Sequence, residues 1–222
     1  MTETIKQNSR NYIPAAGHDW LLPLYDPLQR LLGSESDHRE LLNQAGLEPG
    51  HRVLEIGCGT GSLAILIKRL YPEAKVVGLD PDPKALTRAR LKAQREAVSV
   101  EFDCGFSHEL PYSNGSFDRV FSSFMFHHLN LEEKKQTLLE AQRVLAPDGS
   151  LHLLDFGGAN TRPEGLIAWL LHRTERLQDN VGDRIPILIR EAGFADTWEV
   201  AHRVTIFGRI TRYGASTQPG AA

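Results

Sequence analysis

Apolar positions along this chain change their period several times, and each change marks an element. Residues 53–56, with Val53, Leu54 and Ile56 around Glu55, form a short β-rich run that stops at a cluster of glycines. Residues 62–70 then carry Leu63, Ile65, Leu66, Ile67 and Leu70 at helical spacing. The alternation repeats, with strands at 76–79, 98–102, 118–122 and 150–156 and helices at 83–96 and 132–145. Pro83 stands in the first turn of its helix, and Pro147, Asp148 and Gly149 read as a turn. Short strands alternating with longer helices predict an α/β fold, a doubly wound and mostly parallel sheet joined by right-handed crossovers.

Both ends depart from this rhythm. Residues 5–46 carry helix-like apolar patches, among them Trp20, Leu21, Leu22, Leu28, Leu31, Leu32, Leu41 and Leu42, which predict an N-terminal helical cap over residues 1–46. Beyond Arg162, residues 166–177 and 186–191 read as helices. Residues 197–203 and 205–213 read as strands so close together that only an antiparallel hairpin can join them. The sheet domain then spans residues 47–213 and has seven strands. Residues 214–222 are small and polar with Gly and Pro, the composition of a flexible tail.

Composition narrows the class of function. The chain has 222 residues, 41% hydrophobic and 24% charged, which excludes disorder and collagen-like repetition. Lys+Arg 25 against Asp+Glu 28 leaves a net charge of -3 and no basic stripe, poor footing on a phosphate backbone. No run approaches the ~20 apolar residues of a membrane span. Residues 1–10 lack the apolar core of a signal peptide. Cys58 and Cys104 are too few for a zinc finger or a disulfide scaffold, although one bridge stays open. Together these point to a cytoplasmic protein with a small-molecule partner and no nucleic acid; nothing in them sets the oligomeric state.

The glycine cluster carries the chemistry. Glu55-Ile56-Gly57-Cys58-Gly59-Thr60-Gly61 joins the first strand to its helix, where open parallel sheets bind ligands. Its spacing is G-x-G-x-G, and Ser62 stands where a dinucleotide fingerprint would have a third glycine. Glu55 places a carboxylate before the loop, which repels a pyrophosphate and attracts a cationic amino group. Asp80 ends the second strand, where a carboxylate accepts the hydroxyls of a ribose. Its alternative is a charge at the following helix start, for which Asp82 is better placed. An adenosine-type ligand follows, without a choice between a nicotinamide dinucleotide and S-adenosylmethionine.

Five motifs then occur in order: Val-Leu-Glu-Ile-Gly-Cys-Gly-Thr-Gly at 53–61, Val-Gly-Leu-Asp at 77–80, Leu-Pro-Tyr-Ser-Asn-Gly-Ser-Phe-Asp at 110–118, His-His-Leu at 127–129 and Arg-Val-Leu-Ala-Pro-Asp-Gly at 143–149. This set resembles the class I S-adenosylmethionine-dependent methyltransferases, with their Rossmann-like fold, over about residues 50–157. The resemblance implies that Glu55 and the backbone of Gly57, Cys58, Gly59 and Gly61 hold the methionine end of S-adenosyl-L-methionine. It puts Asp80 on the ribose and Pro81 against the adenine. The family often has Gly-Asp-Ala where this chain has Gly105-Phe106-Ser107, so the usual carboxylate to the adenine amino group is missing. Phe106 and the Ser107 backbone take that place, and Ser123 falls where a residue contacting the cofactor usually stands.

Transfer of an activated methyl group needs alignment above all, and a base only where the acceptor carries a proton. His127 and His128 follow the fourth strand and are candidates for that base or for a substrate contact, with a helix-start role as the alternative. No acidic or Cys partner stands at ligand spacing from them, so no metal site is expected. Residues 25–32, with His38 and Arg39 beyond, are similar to the cap of ubiquinone/menaquinone-biosynthesis methyltransferases, which usually lack the His-His-Leu. In that reading Tyr25 closes over the cofactor sulfonium. Trp20, Phe124, Trp169, Leu170 and Leu171 suggest an apolar acceptor pocket, and core packing accounts for each equally well. The expected function is methylation of O, C or N of a small lipophilic or aromatic acceptor. An NAD-dependent oxidoreductase and a non-catalytic cofactor-binding protein are the alternatives.

Overall fold

A computed structural model of the chain describes residues 34–157, 180, 184–205 and 208–219. Tyr25, Trp20, Trp169, Leu170, Leu171 and the helix expected at 166–177 lie outside the described residues. In chain order the elements are α1 (Ser34–Gln44), β1 (Arg52–Ile56), α2 (Ser62–Leu70), β2 (Lys75–Asp80), α3 (Pro83–Arg95), β3 (Glu101–Cys104), β4 (Phe117–Ser123), a short 3₁₀ turn (Phe126–His128), α4 (Leu131–Val144), β5 (Leu145–Phe156), α5 (Arg184–Glu191), β6 (Asp196–Thr205) and β7 (Gly208–Ser216).

The strands form one seven-stranded sheet in the order β3-β2-β1-β4-β5-β7-β6. The first five run parallel, and β7 pairs antiparallel with both β5 and β6. Both faces are covered, which is why β1 beyond Arg52 reads as an apolar run with only Glu55 polar. On one face, Leu41 of α1, Leu63 and Ile67 of α2 and Leu86 and Ala89 of α3 pack with Val53, Phe121 and Leu154. On the other, Leu138 and Val144 of α4 and Ile185 and Leu188 of α5 pack with Leu54, Ile56, Val120 and Leu153. The doubly wound sheet with a terminal hairpin is the architecture expected from the sequence.

Helix starts follow local chemistry. Asp82 caps α3 by accepting from the Lys84 N–H at 2.8 Å, with Pro83 behind it. Asn130 and Glu133 make a reciprocal capping box on α4. β5 begins at Leu145 rather than at 150, so the expected turn at 147–149 falls within its irregular start, where Leu145 pairs with Phe117. Three further boundaries differ from expectation, each for a physical reason. The strand expected at 98–102 begins at Glu101, because α3 ends in a turn with Ala97 left-handed at φ 52°. There Val98 N–H donates to the Ala93 carbonyl, so residues 97–98 belong to the helix exit.

The expected tail is corrected too. Residues 214–216 continue β7, with Ala215 and Ser216 fully buried between Leu151 and Ser150 of β5 and the other hairpin strand. Gly214 reads as a fraying signal, but the Trp198 indole lies on it: a Cβ there would stand 2.4 Å from Trp198 Cε2. Finally, α1, inside the expected cap, belongs to the sheet domain. Leu41 and Leu42 join its core, and buried Asp37 pairs with Arg203 of β6 at 2.5 Å and Arg212 of β7 at 3.8 Å.

Candidate active site

The glycine loop is fastened to the end of β2. The N–H groups of Gly57 and Cys58 both donate to the Leu79 carbonyl, at 2.8 and 3.0 Å. Gly59 N–H donates to Asp80 Oδ2 at 2.8 Å, and Asp82 N–H to Asp80 Oδ1 at 2.9 Å. Lys92 of α3 pins the loop from the side, donating to the Thr60 and Ser62 hydroxyls. Gly61 has no substitute: its φ is 75°, and a Cβ would meet Ala89 and Phe102 at 2.9 Å. Cys58 turns inward, its Sγ 2.9 Å from where a Gly78 Cβ would stand, and both cysteines are free thiols.

Asp80 is buried, and desolvation pushes its pKa up to about 6 against the two N–H bonds that favour its charge. Each oxygen uses one lone pair on backbone and keeps capacity for a ribose hydroxyl. The donor set therefore fits an adenosine cofactor. Glu55 is buried as well. Its carboxyl lies under α2, accepting from Ala64 N–H at 2.8 Å and serving a helix whose N-cap, Gly61, has no side chain. Burial pushes its pKa to about 8, so at neutral pH it is mostly uncharged. A neutral carboxyl neither attracts an ammonium strongly nor repels a phosphate. The argument against a dinucleotide then rests on Ser62, which occupies the third-glycine position.

Pro81 stands half-buried beyond β2, and its carbonyl faces the Cys104 thiol at 3.7 Å. Phe106 is half-buried with its ring 5.4 Å from His108. The Ser107 hydroxyl is bonded to Thr137 of α4 at 2.8 Å, which leaves its backbone for a ligand. The Ser123 hydroxyl meets His38 Nε2 of α1 at 2.9 Å. His38 is buried, its pKa pushed down to about 4, so the pair is neutral.

Past β4 the chain turns sharply at Phe124, whose φ of 52° is unusual for a bulky residue. The turn gathers a half-buried aromatic shelf: Phe124 lies 5.6 Å from Phe156, which lies 5.2 Å from His127, which lies 4.1 Å from His128. Met125 packs on Gly57, where a Cβ would stand 2.2 Å from its Cγ, so shelf and loop are in contact. His127 Nδ1 is 2.7 Å from Asp155 Oδ1 at the end of β5. Sequence reasoning missed Asp155 and Met125. The only signal for Asp155 was a lone carboxylate closing the apolar strand Leu-His-Leu-Leu-Asp-Phe. Among the described residues no group of three His, Cys, Asp or Glu side chains could hold a metal.

A doubly wound sheet ending in an antiparallel hairpin, with a G-x-G-x-G loop bonded to an acidic strand end, defines an adenosine-cofactor protein of the methyltransferase type. Known proteins agree. A family model described as a methyltransferase domain matches residues 53–149. A demethylmenaquinone methyltransferase of Deinococcus radiodurans is 38% identical over 139 residues, 61% of this chain and 57% of that protein. An uncharacterized methyltransferase of Synechocystis sp. is 30% identical over 186 residues, 80% of this chain and 83% of that one. The solved Haemonchus contortus phosphoethanolamine N-methyltransferase 2 shares the fold, with a TM-score of 0.68 over 83% of this chain and 52% of that one at 18% identity. The chain belongs to the class I S-adenosylmethionine-dependent methyltransferases and is related to the ubiquinone/menaquinone group. It spans little more than half the length of the Deinococcus relative.

Proposed function

We propose that this chain transfers a methyl group from S-adenosylmethionine to O or C of a small aromatic acceptor, a quinone in its reduced, hydroxyl-bearing form. The observation that carries this reading is the aromatic shelf touching the glycine loop through Met125. The demethylmenaquinone methyltransferases among its relatives favour the same acceptor class. Bound in the site, the cofactor supplies a methyl group activated by a positive sulfur.

The chain's own residues do the rest. Asp80 takes the ribose, Pro81, Phe106 and the Ser107 backbone flank the adenine, and Gly57, Cys58, Gly59 and Gly61 follow the methionine end. Glu55 supports that end through α2, Ser123 through its bond to His38, and Tyr25 covers it. Phe124 and Phe156 orient a planar acceptor and exclude water, and His127 and His128 face its hydroxyl. Residues 1–33, the part of the expected cap ahead of α1, act over this site. No described helix is long and apolar enough to cross a membrane. The exposed free thiol of Cys104 favours a reducing, cytoplasmic setting, and the net charge of -3 favours a small acceptor over nucleic acid.

Calorimetry with S-adenosylhomocysteine, paired with labelled-methyl transfer into 1,4-naphthohydroquinone, phenol and an amine, tests the proposal. Binding and transfer to the naphthohydroquinone are expected, and Asp80→Ala lowers affinity by about tenfold or more, the scale of hydrogen bonds to a charged group. Binding without transfer to any of the three sinks the enzymatic reading. Tighter binding of NAD than of S-adenosylhomocysteine restores the oxidoreductase.

A further inference from the structure

Asp155 has the most constrained side chain on the shelf. It is fully buried at the end of β5. Three nitrogen atoms converge on it: Oδ1 accepts from Phe156 N–H at 2.7 Å and lies 2.7 Å from His127 Nδ1, and Oδ2 accepts from the His127 backbone N–H at 3.2 Å. Two of these donors are backbone and cannot reverse their roles. An aspartate so surrounded acts as an acceptor, which leaves Nδ1 of His127 to donate. In a neutral imidazole the other nitrogen, Nε2, then carries the free lone pair.

We infer that Asp155 is a positioning residue that holds His127 in its Nδ1–H tautomer, and that His127 rather than His128 is the base for the acceptor. This rests on the methyltransferase reading. The ring has little freedom to turn away: Phe156 stands edge-on to it, His128 lies against it, and the His127 backbone is tied to the same carboxylate. Tyr213 of β7 stands close enough to feel Asp155, with Glu199 and Arg209 in the same surroundings, and burial pushes its phenol up; on the 3₁₀ turn itself Lys134 of α4 lies over the Phe126 ring. In the transfer, the acceptor hydroxyl gives its proton to Nε2, and the imidazolium formed is paired with Asp155. The electron pair left on the acceptor oxygen forms the bond to the methyl carbon, and the pair of the broken carbon–sulfur bond returns to sulfur. Where that pair acts through a ring carbon instead, the carbon's own proton then leaves to water and the ring becomes aromatic again. The imidazolium releases its proton to water. The acceptor class follows: a group that must lose a proton, as a hydroquinone or phenol does.

Nitrogen-15 spectra of histidine-labelled protein read the tautomer without any turnover. His127 is expected as Nδ1–H at neutral pH, and Asp155→Asn is expected to redistribute the proton toward Nε2. With 1,4-naphthohydroquinone as acceptor, Asp155→Asn and His127→Gln lower kcat by about 10²-fold or more, as loss of a general base does, with S-adenosylhomocysteine affinity unchanged within about twofold. Added imidazole partly restores His127→Gly. An Nε2–H tautomer in the wild type overturns the inference, whether or not Asp155→Asn folds. So does imidazole rescue of His128→Gly but not of His127→Gly. Failure of the wild type to bind S-adenosylhomocysteine counts instead against the methyltransferase activity, and the tautomer result stands apart from it.

Discussion

Glu55 and Asp80 lie near the C-terminal ends of neighbouring strands, and burial raises both, from ordinary values of 4.5 and 3.8 to about 8 and about 6. A group that holds its proton more tightly when folded makes the unfolded state the weaker proton binder, so stability falls as pH rises between the two pKa values. His38 and His152 work in the opposite direction, pushed down by burial to about 4 and about 3, and withdraw stability as pH falls below 6.5. Among these four groups only Glu55 titrates between pH 6.5 and 8. The ligand-free wild type is therefore expected to lose Tm across that window. Glu55→Gln keeps an acceptor for the Ala64 N–H and is expected to remove that slope. Thermal unfolding followed by circular dichroism reads both, and equal slopes would mean that folded Glu55 is already charged.

Among the elements, α3 ends with an Ala where its geometry favours Gly. Ala97 is exposed, and its left-handed φ of 52° costs an L-residue about 1–2 kcal/mol. Ala97→Gly is expected to stabilise the protein by about 0.5–1 kcal/mol, once the entropy lost by glycine is subtracted. Urea unfolding measures this, and a destabilised variant would show that the cap is unstrained. The same position accounts for the late start of β3: without Gly at 97, nothing in the local pattern marks the turn that follows α3 and delays the strand to Glu101. Local signals were legible where one residue does the work, as with Asp82 and Pro83 at the start of α3. Pairs distant in sequence were not, because nothing local distinguishes their members. His127 finds Asp155 across 28 residues, and His38 finds Ser123 across 85. The glycine loop is legible from spacing alone, whereas the burial of Glu55 beneath α2 is not, since it depends on how the whole sheet packs.

At the scale of the molecule, the candidate site draws on the C-terminal ends of four adjacent strands. β1 supplies the glycine loop, β2 Asp80, β4 the Phe124 turn and β5 Asp155, in the crevice where the parallel order runs outward from β1 in both directions. A ligand bridging these ends binds only the assembled sheet. S-adenosylhomocysteine at 100 times its Kd is expected to stabilise the fold by about 2.7 kcal/mol, read as a rise in Tm. An unchanged Tm at that concentration would place the ligand elsewhere or nowhere. The position of β7 between β5 and β6 has a consequence for synthesis. On the ribosome, every strand that contributes to the site emerges before β7, and β5 waits with one bare edge while β6 has no neighbour. A nascent chain in that state offers an open edge to any other strand it meets, the geometry from which aggregation starts. Release of residues 208–216 seals both strands at once, so the last strand of the sheet, which carries none of the candidate chemistry, decides when the two edges are covered.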